Sequence, residues 1–372
     1  MLRALPSALA SLLVLAFAGS ALAIPAVAKL TTGDPQIKSI DTIAMAEGGV
    51  LLIADGATSR IVAVQTDDTA KLNGEGPKVQ NIVHEIAGRL GAADKDVEIA
   101  RIVVNSVSGR TYVLVKKLDE KKNLIVTVDP DGKIAALPLK NVKFAAVNLP
   151  KAAAGAPRVM EMAWAGDRVV CSARTSEEFA SKILVIPAPI SPEAAFGMIS
   201  AETYHVSHKK WETKAPMSAI FPYEENGKKY IVGGFGCTPI VKFPIDSIQN
   251  GEKVKGESMI ELGSGNRPIN MFAYTRDGKP SVIVNTFRFH HEKAPISPGP
   301  YWTCRFDRAI LSATDVNEKA IHRNVKAPED PKMTMVAAFH GVRLMDKLDE
   351  GRAIVLKEHE NNRLDLELLA LP

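Results

Sequence analysis

Residues 287–304 read FRFHHEKAPISPGPYWTC, and three of these side chains, His290, His291 and Cys304, are ligands for transition metals. A second histidine group, YHVSHKKWE at 204–212, sets His205 and His208 three apart with Glu212 four further on. On a helix those three would share one face and could grip Cu or Zn through imidazole and carboxylate. Lys209, Lys210 and the β-branched and aromatic neighbours suit a loop or edge strand equally, and then the histidines are structural. Adjacent side chains on a strand point to opposite faces, so His290 and His291 reach one ion only from a loop. Pro295, Pro298 and Pro300 make the stretch one. A joint site of His205, His208, His290 and His291 requires both loops at the same end of the fold. The balance favours no cofactor, with Cu or Zn as the exception to look for.

Cys237 lies in the Gly-rich turn GGFGCTPIVKFP, where a Cys237–Cys304 disulfide could tether the proline loop. Separate buried thiols are the competing reading. Three cysteines are an odd count, so at most one pair forms. No CxxCH is present, which argues against covalently attached haem. No Ser-His-Asp arrangement, phosphate-cradling glycine loop or zinc ribbon is visible. Three tryptophans are too few for the repeated docking motif of the main quinoprotein propellers.

The elements that must position these residues repeat along the chain. An apolar strand, a turn carrying GG, SG, GD, NG, DG or EG, and a second strand recur six times, beginning at Ile40, Ala100, Val159, Met217, Ile269 and Val342. Such turns reverse a chain between antiparallel strands. The period is roughly 50 to 75 residues, that of propeller blades enlarged by loops. Each antiparallel sheet has two apolar faces and cannot bury both alone; sheets stacked about an axis bury them against one another. The expected fold is all-β: a β-propeller of six blades, or seven if one is degenerate. NIVHEIAGRLG at 81–91 predicts a short helix between the first two blades, with Ile82, Val83, Ile86 and Leu90 on one face. LDLELLAL at 364–371 is expected to close the ring on residues 37–44.

In such a ring the inner strands can be indexed by Thr42, Arg101, Glu161, Ser218, Asn270 and Arg343. Arg101, Glu161, Asn270 and Arg343 are the candidates for binding a ligand in the channel. Two arginines beside one carboxylate oppose a divalent cation and suit an anionic ligand. Alternatively, the arginines pair with Glu161 or with backbone.

Residues 1–23 read as a leader: Arg3, an apolar run from about Ala8 to Phe17, and an Ala21-Leu22-Ala23 cleavage signature. The run is too short to span a bilayer. Residues 24–372 are read as a single propeller domain, periplasmic or secreted, with no integral membrane segment. The net charge of +4 is spread rather than striped, which excludes nucleic acid as the expected partner.

SEEFASK, CTPIVKFPIDSIQNGEKVKG and ELGSGNRPINM resemble a set of exported bacterial β-propeller proteins of unassigned function. At the level of fold the chain also resembles the YVTN and quinoprotein amine dehydrogenase-like propellers. These resemblances imply the architecture and bring no reaction with them. The proline loop departs from the set, whose members turn directly into the next strand after SVIVNT. The expected function is a non-catalytic exported propeller that binds a protein partner or small molecule at the channel mouth. The alternative is an enzyme or redox-chain component, quinoprotein-like or metal-dependent, with its site at that mouth.

Overall fold

A computed structural model describes residues 25–149, 157–206, 208–236, 239–246, 251–263, 265–293, 299–312, 322–323 and 333–372. The fold is a six-bladed β-propeller. Hairpin chemistry sets the inner edge of the blades. Asn226-Gly227 and Asp277-Gly278 hold φ of 52° and 73°, and 51° and 72°. Positive φ at both positions is the two-residue turn whose twist matches the strands it joins.

The blades do not follow one another around the ring in chain order. The first is built from Ile40–Ala46, Val50–Asp55 and Arg60–Gln65. Its outer strand, Val142–Asn148, arrives only after the second blade is made, and Thr31–Gly33 forms the edge. The second blade is Val97–Val104, Thr111–Lys117, Lys122–Val128 and Ile134–Ala136. The inner strands of the third to sixth are Arg158–Trp164, Met217–Glu225, Asn266–Arg276 and Val342–Lys347.

Six apolar clusters join neighbouring blades and give the true order. The first blade packs on the third through Leu52, Ala63, Val169 and Leu184, and on the second through Ile53, Val62, Tyr112 and Leu114. The second packs on the sixth through Val113, Val126, Ile354 and Leu356. The remaining three clusters join third to fourth, fourth to fifth and fifth to sixth. The first and second blades have therefore exchanged places around the axis.

Two expectations change as a result. Leu364–Ala370 does not pair with residues 37–44, because the first blade is not its neighbour. It pairs with Arg352–Glu358, and its open edge takes Val79, with Val79 N–H donating to Leu366 O at 2.9 Å and Leu366 N–H to Val79 O at 2.8 Å. Helix α1 (Ile82–Leu90) lies between the first two blades in sequence, and in space it seats against the second and sixth. Its buried residues are Ile82, Ile86 and Ala87, and Gly91 ends it with φ of 62°.

Each inner strand breaks register once near its start: between Ile40 and Thr42, Ile99 and Arg101, Val159 and Glu161, Met217 and Ala219, Pro268 and Asn270, and Val342 and Leu344. One extra residue per strand is a β-bulge, which re-aims the side chains that follow it. Repeated in all six blades, it corrects the indexing. Arg101, Glu161 and Asn270 follow their bulges, whereas Ser218 and Arg343 lie within theirs. The equivalent residues are Ala219 and Leu344.

Candidate functional site

A cavity of about 1020 Å³ runs along the axis, lined by all six inner strands and opening at their hairpin tips near Gly48 and Val107. Met45, Val103, Ile220, Phe221 and Phe272 are among its apolar wall residues. Trp164 also lines it and contributes an indole N–H that is buried without a hydrogen-bond partner.

Polar groups converge at the deep end. Glu161 and Arg101, from neighbouring inner positions either side of the first blade, form an ion pair that touches both carboxylate oxygens. Arg101 Nη1 and Nη2 thus each face one carboxylate oxygen, and Arg101 Nε is left without a partner. Burial penalises the charged carboxylate more than Arg101 favours it, and the charge of Asp346 adds to the penalty. Glu161 is pushed up to about 7. Asp346 sits two residues beyond Leu344, one step nearer the mouth than Glu161. Its Oδ2 accepts Val104 N–H at 2.7 Å, and its Oδ1 accepts Lys347 N–H at 2.9 Å. Burial still raises it above the ordinary aspartate range. Asn270 Oδ1 accepts Met345 N–H at 3.2 Å, tying fifth blade to sixth.

Arg343 is not among the cavity's residues. As the bulged residue it turns away, donates to Glu358 Oε2 at 2.7 Å and lies 5.2 Å from the centre of the Tyr301 ring. The ring of two arginines expected from sequence is one arginine and two carboxylates, Glu161 and Asp346. Asp346 was missed because a bulge of one residue displaces the sixth strand's register, and nothing in VRLMDKLDEG marks it.

The histidines stay apart. His205 ends the strand Gly197–His205 and opposes Lys210 across a tight turn, so the segment is a strand edge and not a helix. The imidazole is buried, with Nε2 at 3.3 Å from Glu261 and Nδ1 at 3.8 Å from Glu212. The contact with His205, helped by the N–H groups of Lys214 and Ala215, holds Glu212 down at about 2 against the opposing effect of burial. His208 stacks beside it, ring centres 4.2 Å apart. His290 is exposed and His291 half-buried on the fifth blade. Among the described residues these four do not gather their ring nitrogens; the set that does gather is His359, Asp365 and Glu367. There Arg363 and the Asn81 N–H already occupy Asp365.

Both ends of the stretch at 287–304 are strand. Lys279–Arg288 and Tyr301–Asp307 are paired in the fifth blade, with residues 289–300 between them. Trp302 is fully buried and donates from Nε1 to Asn266 Oδ1 at 3.2 Å. Cys304 and Cys171 are buried free thiols, both pushed up to about 12 by burial. Cys237, the proposed partner of Cys304, lies outside the described residues, as do Pro295 and Pro298.

No protein-family model matches the chain, and no curated protein matches it in sequence. Among solved structures it is similar to an exo-1,5-α-L-arabinanase from a bovine ruminal metagenomic library, at 13% identity and TM-score 0.38, over 81% of this chain and 96% of that one. It is also similar to the Malassezia sympodialis allergen Mala s 1, at 10% identity and TM-score 0.38, over 88% and 92%. Drosophila Semaphorin 1a, extracellular domains 1–2, matches at 10% identity and TM-score 0.35, over 90% and 87%. At these scores the likeness carries no activity across.

Proposed function

We propose that this chain is an exported propeller that binds a small molecule in its central cavity. The carrying observation is the cavity itself: about 1020 Å³, with apolar residues along its wall, Arg101, Glu161 and Asp346 at the deep end and further charged groups at the rim. Ligand sites have this anatomy, a largely hydrophobic volume of roughly 300–1,000 Å³ with a few placed polar groups. The unpartnered donor of Trp164 supports the same reading, since buried polar atoms are ordinarily satisfied. The leader at residues 1–23 supports export to the periplasm or beyond, and N-terminal sequencing of the mature chain from that fraction tests it.

The binding test uses Trp164 as its probe. In a Trp211→Phe background, molecules retained in a native-mass-spectrometry screen should bind one per chain and alter Trp164 emission. A screen without hits, or hits that leave Trp164 unaffected, would remove the reading. A second, catalytic reading rests on Glu161 alone: a carboxyl held near 7 can both give and take a proton at neutral pH. Turnover of a bound molecule that vanishes in Glu161→Gln, with binding intact, would promote it.

A further inference from the structure

We propose that the ligand of the central cavity is an organic cation, a protonated amine on an apolar body, with its charge seated against Glu161 and Asp346. The inference rests on the binding reading and adds the chemical class.

Charge arithmetic along the axis carries it. At the rim, Glu47 and Glu350 are balanced by Arg308 and Lys347, and Lys347 Nζ is already 2.7 Å from Glu350 Oε1. At the deep end one guanidinium, Arg101, faces two carboxylates, so one negative charge is in excess when Glu161 is ionised. Arg101 is committed to Glu161, touching both of its oxygens, while Asp346 is held by two backbone N–H groups. An ammonium group supplies the positive charge that the count lacks. An anionic ligand would add a second uncompensated charge. A divalent metal ion would stand beside the fixed guanidinium, and among the described residues no set of three ligand atoms gathers here. The body of the ligand follows from the wall, to which Phe221, Phe272, Ile220 and Val103 contribute apolar surface.

The test compares three probes of one shape by calorimetry on the full mature chain: 2-phenylethylamine, 2-phenylethanol and 3-phenylpropionate. At pH 8 the amine should bind about tenfold or more tighter than the alcohol, and the propionate weakest, the ratio expected of one desolvated charge contact. The amine stays protonated from pH 8 to 5.5 while Glu161 takes up its proton, so its advantage should shrink several-fold over that range in the wild type. Glu161→Gln should remove most of it at pH 8, with circular dichroism confirming the fold; the pH series needs no variant. Equal binding of amine and alcohol, or tighter binding of the propionate, would overturn the cation and leave the cavity reading standing. So would no binding by all three probes while screened molecules still alter Trp164. Binding of calcium alone at this site would overturn it in favour of a metal.

Discussion

Glu161 gives the sharpest test of the deep end, because its pairing and its burial pull in opposite directions. The ion pair with Arg101 favours the carboxylate, and burial disfavours it. The balance raises the group from 4.5 to about 7. A raised carboxyl means that the folded state holds a proton that the unfolded state has released. Its contribution to stability is therefore fully present below about 4.5 and is lost as pH rises through about 7. At about 1.4 kcal/mol per tenfold change in proton affinity, that loss is roughly 2 to 3 kcal/mol between pH 5 and pH 8. Glu161→Gln removes the titration and also relieves Asp346, whose charge opposes that of Glu161. Urea unfolding of wild type and variant at pH 5, 6, 7 and 8 isolates the effect in their difference. The wild type should lose roughly 2 to 3 kcal/mol relative to Glu161→Gln across that series. A flat difference would mean that Glu161 is not displaced by burial. A wild type that gains on the variant as pH rises would mean that Arg101 wins and that Glu161 is ionised at neutral pH.

Trp302→Ala should cost about 3–5 kcal/mol in urea unfolding, the penalty of emptying a buried aromatic site, where a surface-loop tryptophan would cost little. Asp55 is buried, yet the Thr58 hydroxyl, the N–H groups of Ser39 and Lys38, and Arg60 together hold it below 3.8. Its stabilisation should be present at neutral pH and lost as pH falls below that value, and Asp55→Ala should cost about 3 kcal/mol at pH 7 by the same assay. Val79→Pro removes the N–H that joins the sixth blade's open edge, and should lower stability by about 1–3 kcal/mol and speed proteolysis near that edge. Cys171 and Cys304 should resist thiol reagents in the folded chain and react on unfolding, with peptide mass mapping to separate them from Cys237.

The sequence by itself determined the blade. Strand alternation, NG and DG turns and a period of about 50 to 75 residues are local properties, and they specify six sheets that each need a neighbour on both faces. The glycine-stopped helix at 82–90 and the inner positions Arg101, Glu161 and Asn270 were legible for the same reason. Which sheet becomes whose neighbour was not. The exchange of the first two blades is decided by apolar faces hundreds of residues apart, such as Val113 against Leu356, and no local pattern encodes which of several similar faces fits best. A bulge moves every following side chain by one position without leaving a mark in composition, so Asp346 entered the cavity and Arg343 left it. The charge of the site is a tertiary property as well. One arginine between two carboxylates, one of them buried, behaves unlike the same residues in water, because burial sets the cost of each charge and only the assembled ring sets the burial.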